Sequence, residues 1–396
     1  MRRSGSWRID SRKAGPFLPL GDTLVGINLP LYNGAPEGDD AMNADKDLRT
    51  FFAGEPPGER TNAIRWLQKK VMARALALPR SFAGKAEWEA FRARLRVELP
   101  KRIGIPSFPP LQQSVIRGRV RLGEDLEVER LDVFVDEDYA IPSFLYLPRD
   151  RGGLPARLPA LVWNGGWPQD KWNPSIQRMA ARLARQGFAV LTFDHAPFGE
   201  TTPPMDRMRE AMSLVMGMGQ VLGISQLALR CAETMRCGEY LRSRPDVDPK
   251  RVAVAGLCQG GQDSWLAGAL DEGFCAVAPI ASESTFAIHF AEMASYMANG
   301  DSSPFPFGIL DVCDIEHLHA AIAPRPLLVR ANLGDNWWPI SGFDSVESLT
   351  RRIYKLYGAE DRIDFRAEVH DHDITGPFLD ALEAFLLKWV KPAAGR

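Results

Sequence analysis

The sequence is poor in cysteine and offers no pairing pattern for it. Cys231, Cys237, Cys258, Cys275 and Cys313 are odd in number and share no short paired spacing, which excludes a disulfide framework and predicts reduced thiols in a cytoplasmic protein. Charge of one sign is missing too: 48 lysines and arginines face 50 aspartates and glutamates, for a formal charge of -2. Without a basic stripe, nucleic acid is not an expected partner. Long apolar runs are equally absent near the start, where Gly21, Asp22, Gly26, Asn28 and Pro30 interrupt the stretch after the first arginines. Neither a secretory core nor a membrane span is expected from it. The chain has no cluster of metal ligands, no Walker loop and no G-x-G-x-x-G fingerprint, so neither metal nor cofactor is expected.

What is present is enough for a large core: 396 residues, 45% of them hydrophobic, accommodate one large α/β domain with an appendage, or two ordinary domains. Residues 1–58, rich in glycine, proline and charge, are expected to be poorly ordered or wrapped on the body, and Met42 is an alternative start. Residues 59–110 read as a helical extension. Ile64, Leu67, Val71, Ala75 and Leu78, then Trp88, Phe91, Leu95 and Leu99, recur three or four apart. These two amphipathic helices have three roles open to them: packing on the catalytic domain, a homodimer contact, or shaping the pocket.

From residue 111 the pattern turns to β. "VIRGRVRLGEDLEVERLDVFVDEDYAIPSFLYLP" reads as three strands in antiparallel meander. After residue 157 strands alternate with helices up to the closing "GPFLDALEAFLLKWV", which predicts an α/β fold with a mostly parallel sheet and helices on both faces. Two stretches interrupt the alternation, near residues 196–225 and 283–314. Both fall at the C-terminal edge of the sheet, where such folds bind ligands. The first carries Met205, Met208, Met212, Met216 and Met218, read either as ordinary packing or as a lid over the pocket.

One segment, "RVAVAGLCQGGQDSW" (residues 251–265), combines a strand, a glycine turn and a helix start with Cys258 at the apex. The small-x-nucleophile-x-small spacing is that of a nucleophile elbow, in which glycines relieve crowding around a strained central residue. The neighbouring helix terminus would favour a thiolate. Taken alone, a cysteine is more often a small buried apolar residue; the strand-turn-helix context favours the nucleophile.

A thiol nucleophile needs a base and an orienting acid. Of the histidines after Cys258, His372 in "EVHDHDITGPF" is preferred because it leads into the final helix, with His370 as the alternative. His317 and His319 read as surface or packing residues, and His289 as a weaker outsider. Asp335, in the loop after "PRPLLVRAN", is the expected acid, with Glu283 as its alternative. Oxyanion donors are expected from the amides of Gln259 and of Gly166 in "NGGW". Trp167, Trp337 and Trp338 are candidate substrate-binding residues, pointing to an apolar or aromatic small molecule.

Several segments in order resemble the α/β-hydrolase superfamily, in particular its dienelactone hydrolase and acetyl xylan esterase-like branch: "FDHAPFGET", "YLRSRPDVDPKRVAVAGLCQGG", "APRPLL", "LGDNWWP" and "DHDIT". The resemblance spans roughly residues 125–392 and implies a Cys258, Asp335, His372 triad acting on a carboxylic ester or lactone through a thioester. It departs from the branch in using cysteine where many relatives use serine, in Asn164 where a histidine often stands, and in a missing glycine in "PFGET". "G-x-C-Q-G-G" also resembles the box of polyhydroxyalkanoate synthases, which keeps an acyltransferase as the second reading. A binding protein without catalysis is the third.

Overall fold

Nine strands among the described residues form one mixed sheet. The computed structural model describes residues 63–149, 152, 154–202, 208–292, 305–335 and 337–391. The predicted 1–58 segment, Met205 and residues 293–304 of the second insertion lie outside them, and of Met208 only the backbone is described.

Helices α1 (Ala63–Ala77) and α2 (Lys85–Ile103) precede the sheet. Trp88, Phe91, Leu95, Leu99 and Ile103 of α2 are buried in the larger of two core clusters. The predicted meander is β1 (Val115–Leu122), β2 (Leu126–Phe134) and β3 (Ala140–Pro148), paired antiparallel. β1 is an exposed edge, and Arg117 and Arg119 pair across it with Asp132 and Glu129. Charge of this kind discourages further strands from adding there.

β3 pairs antiparallel with β5 (Ala189–Phe193), and from there the sheet is parallel through β4 (Leu158–Asn164), β6 (Val247–Leu257), β7 (Phe274–Ile280), β8 (Leu327–Asn332) and β9 (Ile363–Glu368). Alternation assigns residues to the two faces. In β6, Val252 and Val254 enter the larger core, while Ala253, Ala255 and Leu257 enter the smaller one. That smaller core is closed by α3 (Pro174–Arg185) and α10 (Gly376–Trp389). The larger is covered by α5 (Gln226–Ser243), α6 (Gln259–Leu270), α8 (Ile315–Ala321) and α9 (Phe343–Leu356).

Local chemistry fixes where α3 begins. The Asn173 side chain accepts from the amides of Ser175 and Ile176, and Pro174 follows it in the first turn, a start signal whose loss costs about 1 kcal/mol. The first predicted insertion contains α4 (Met208–Leu222), and the second contains the short α7 (Phe286–Ala291). Met212 is buried and accepts from Trp167 Nε1 at 3.0 Å, whereas Met218 is exposed. Only part of the methionine stretch therefore serves as packing.

Candidate active site

β6 runs into α6 through Cys258, whose backbone stands at φ 60° and ψ −122°. This region costs a non-glycine residue on the order of 1–3 kcal/mol and persists only where the surroundings enforce it. Two glycines make the turn sterically possible. A Cβ on Gly256 would strike the carbonyl of Gly260, and one on Gly260 would strike that of Asn164. The Cys258 amide donates to Ile280 O at 2.8 Å, and its carbonyl accepts from Gln262 N at 3.2 Å. The side chain is therefore presented by a fixed backbone at the amino end of a 12-residue helix, with 5% of the residue exposed.

The other four cysteines are not at turns of this kind, and burial pushes their thiols up, that of Cys275 to about 12 and those of Cys231, Cys237 and Cys313 well above the ordinary range.

Asp335 follows β8 in a tight loop and its carboxylate divides its two oxygens. Oδ1 accepts from the Trp337 amide at 2.8 Å, and Oδ2 accepts from His372 Nδ1 at 2.8 Å. The carboxylate is 1% exposed, so water competes little for it. This bond leaves the proton-exchanging work to Nε2, which has no oxygen or nitrogen partner among the described residues. Burial works against charge on the imidazole, yet the charge of Cys258 and the hydrogen bond to Asp335 outweigh it, and the His372 pKa is pushed up to about 11. His372 thus lies between Asp335 and Cys258.

His370 takes a different part. Its Nε2 donates to Thr375 O at 2.7 Å and its ring meets Phe378 edge-on at 4.4 Å. The loop is also tied to α3, where Ser175 Oγ donates to Asp373 Oδ2 at 2.8 Å. Glu283, the alternative acid, accepts from the amide and hydroxyl of Ser282 and lies 3.8 Å from His319. His317 and His319 are fully buried rather than superficial: His317 Nδ1 accepts the Asp314 amide and its Nε2 donates to Pro79 O, while His319 Nδ1 donates to Ile315 O. His289 is buried among Phe290, Phe305 and Trp338, and burial lowers it to about 4.

Gly166 lies against the elbow, since a Cβ there would sit 2.9 Å from Leu257 O and 3.0 Å from Cys258 Cβ. Its N–H is engaged, donating to Gln169 Oε1 at 3.1 Å. A substrate oxygen using this donor must displace the Gln169 side chain. Of the three candidate tryptophans, Trp167 and Trp337 are half-buried with ring centroids 6.4 Å apart, whereas Trp338 is 3% exposed and packs on His289 in the core. Trp163 and Trp265 are core residues as well.

Sequence reasoning missed a second polar assembly behind the elbow, built from Asn164, His195, Arg230, Glu233, Thr234, Asp263 and Ser264, all buried. His195 Nδ1 pairs with Glu233 Oε2 at 2.9 Å, and its Nε2 reaches Asn164 Oδ1 at 3.1 Å. Burial pushes Glu233 up to about 8 against the Tyr139 hydrogen bond and the Arg230 charge, and pushes Asp263 up to about 7 against Arg230. The available signal was the set of charged residues inside the apolar stretch "LALRCAETMRC".

Residues 170–287 match the Dienelactone hydrolase family. The chain is 24% identical over 314 residues to a Bacillus subtilis (strain 168) protein named "Putative hydrolase YtaP", covering 76% of this chain and 100% of that one. It is similar in structure to "Methylesterase BT1017" (TM-score 0.61, 22% identity, 82% of this chain and 68% of that chain). It is also similar to a glucuronoyl esterase from Solibacter usitatus (TM-score 0.54, 16% identity, 84% and 94%). At such identities the structural likeness is one of fold. Sheet order, elbow and neighbours together define an α/β-hydrolase fold. With the dienelactone hydrolase segment, the chain is an ester hydrolase.

Proposed function

We propose that the protein hydrolyses a small carboxylic ester or lactone with Cys258 as nucleophile, His372 as base and Asp335 as the group that orients the base. The observation that carries this reading is the 2.8 Å bond from His372 Nδ1 to Asp335 on an imidazole that responds to the charge of Cys258. In the first half, Sγ forms a bond to the carbonyl carbon while the thiol proton resides on His372. The tetrahedral oxyanion is held by the amides of Gln259 and Gly166, the latter released from Gln169. Collapse breaks the carbon–oxygen bond, the leaving alkoxide takes the proton from His372, and a thioester remains on Cys258. In the second half, His372 takes a proton from water as the hydroxide oxygen attacks the thioester; the carbon–sulfur bond breaks, the carboxylic acid leaves, and the thiol is restored.

The half-buried indoles of Trp167 and Trp337 favour an apolar or aromatic acyl or alcohol group. A panel of aryl and alkyl esters and lactones tests the reading with the wild type, Cys258→Ala and Cys258→Ser. The alanine variant is expected to lose turnover altogether; a fully active alanine variant contradicts the reading. Retained hydrolysis in the serine variant would make the sulfur incidental, whereas loss in both would mean that the site requires a thiolate.

A further inference from the structure

Arg230 lies on α5, distant in sequence from every residue of the site, and is 2% exposed. Its guanidinium touches three pieces of the elbow region at once. Nε and Nη2 donate to Asp263 Oδ2 on α6 at 3.1 and 2.7 Å, Nη1 donates to Gln259 Oε1, and Nη2 also donates to Gly165 O at 3.2 Å. The Phe198 ring covers the cation at 5.8 Å. Gln259 follows the nucleophile, and Gly165 supplies the carbonyl of the peptide unit whose N–H belongs to Gly166. In a trans peptide, the C=O and N–H of one unit point in opposite directions. A cation bonded to that oxygen therefore fixes the direction of the Gly166 N–H and draws electron density away from it.

We propose that Arg230 is the positioning residue of the oxyanion hole, orienting and polarising the Gly165–Gly166 peptide while locking the Gln259 side chain beside it. The proposal rests on the reading of Cys258 as nucleophile and of the Gln259 and Gly166 amides as oxyanion donors. Planarity and the forked donor set suit arginine to the task; lysine can satisfy Asp263 as a point charge but cannot hold three acceptors in one plane. Asp263 in turn fixes the guanidinium.

The test compares Arg230→Lys with the wild type by kcat and KM on an aryl ester and, separately, by the rate at which iodoacetamide alkylates Cys258. Alkylation forms no oxyanion, so it reports the thiol and the fold without using the hole. The expected result is a fall in kcat of roughly 10- to 100-fold, less than the roughly 100- to 1,000-fold seen when an oxyanion donor is removed outright, with KM and alkylation within about twofold. Equal losses in kcat and alkylation, or an unchanged kcat, overturn the proposal. Should Arg230→Lys not fold, Asp263→Asn, a near-isostere of the protonated acid, carries the test with a several-fold expected fall in kcat and the same alkylation control; wild-type kcat there overturns it. Failure of the nucleophile reading is separate, because it appears as turnover surviving in Cys258→Ala.

Discussion

Two histidines in this molecule each meet a carboxylate through Nδ1, His372 with Asp335 at 2.8 Å and His195 with Glu233 at 2.9 Å, and their surroundings differ. His195 is sealed in, and burial together with the Arg230 charge holds its pKa well below the ordinary range. Its Nε2 is committed to Asn164. His372 is partly open and its Nε2 has no oxygen or nitrogen partner among the described residues, with the charge of Cys258 and the bond to Asp335 raising its pKa. A histidine–carboxylate pair is thus structural or reactive according to what the far nitrogen meets.

The comparison breaks most sharply at Asp335. Asp335→Asn keeps the shape but supports the wrong tautomer, so kcat is expected to fall roughly 1,000- to 10,000-fold with a nearly unchanged melting temperature. The matching change in the sealed pair acts on stability instead. His195→Ala removes one partner from Glu233, which keeps the Tyr139 hydroxyl, and one from Asn164, which keeps Thr234, and chemical denaturation is expected to register a loss of about 1–3 kcal/mol from these under-satisfied buried groups. In the folded fraction kcat should change by less than about tenfold.

The sealed pair also carries a pH signature. Burial pushes the folded pKa of Glu233 up to about 8 from the ordinary 4.5 of a glutamate, so between those values the native state binds the proton more readily than the unfolded chain. The stability that Glu233 contributes is therefore expected to decline as pH rises from 4.5 to 8, so the stability difference between the wild type and Glu233→Gln should shrink between denaturation curves at pH 5.5 and 8. The smallest expected effect lies at Gln169. Removing its side chain in Gln169→Ala frees the Gly166 donor, and kcat/KM is expected to rise about two- to tenfold, the worth of one net hydrogen bond.

The His372–Asp335 pairing was legible in the sequence and the sealed pair was not, for a physical reason. Cys258, Asp335 and His372 each stand just beyond a strand, where turn glycines and element order announce loops at the sheet's C-terminal edge. The strands themselves were legible as apolar runs; "LPALVWN" coincides with β4 at both ends. Arg230, Glu233 and Asp263 sit inside helices, and their meaning depends on partners 29 to 38 residues away that only the packing of α5 against α6 and the loop after β5 brings together. His195 stands in the "FDHAPFGET" loop, ahead of the elbow in chain order, and no local spacing links it to Glu233. His370 and His372 are separated by one residue in sequence, and the bonds from His370 to Thr375 O and from His372 to Asp335 distinguish their settings.

Helix α4 was the least legible element of the sheet's functional edge. Its methionines suit a packing face, but Leu214, Met218, Val221 and Leu222 are exposed, so hydrophobicity alone could not assign the buried side. The bond from Trp167 Nε1 to Met212 identifies the face that touches the site.

The central claim is that Cys258 carries the acyl group. Acid-quenching the enzyme during turnover of an aryl ester and weighing the intact protein measures this directly. The account predicts an added mass equal to the acyl group, located on the peptide bearing Cys258, released by hydroxylamine at neutral pH, and absent from Cys258→Ala. Turnover by a protein whose Cys258 has been completely alkylated would contradict it.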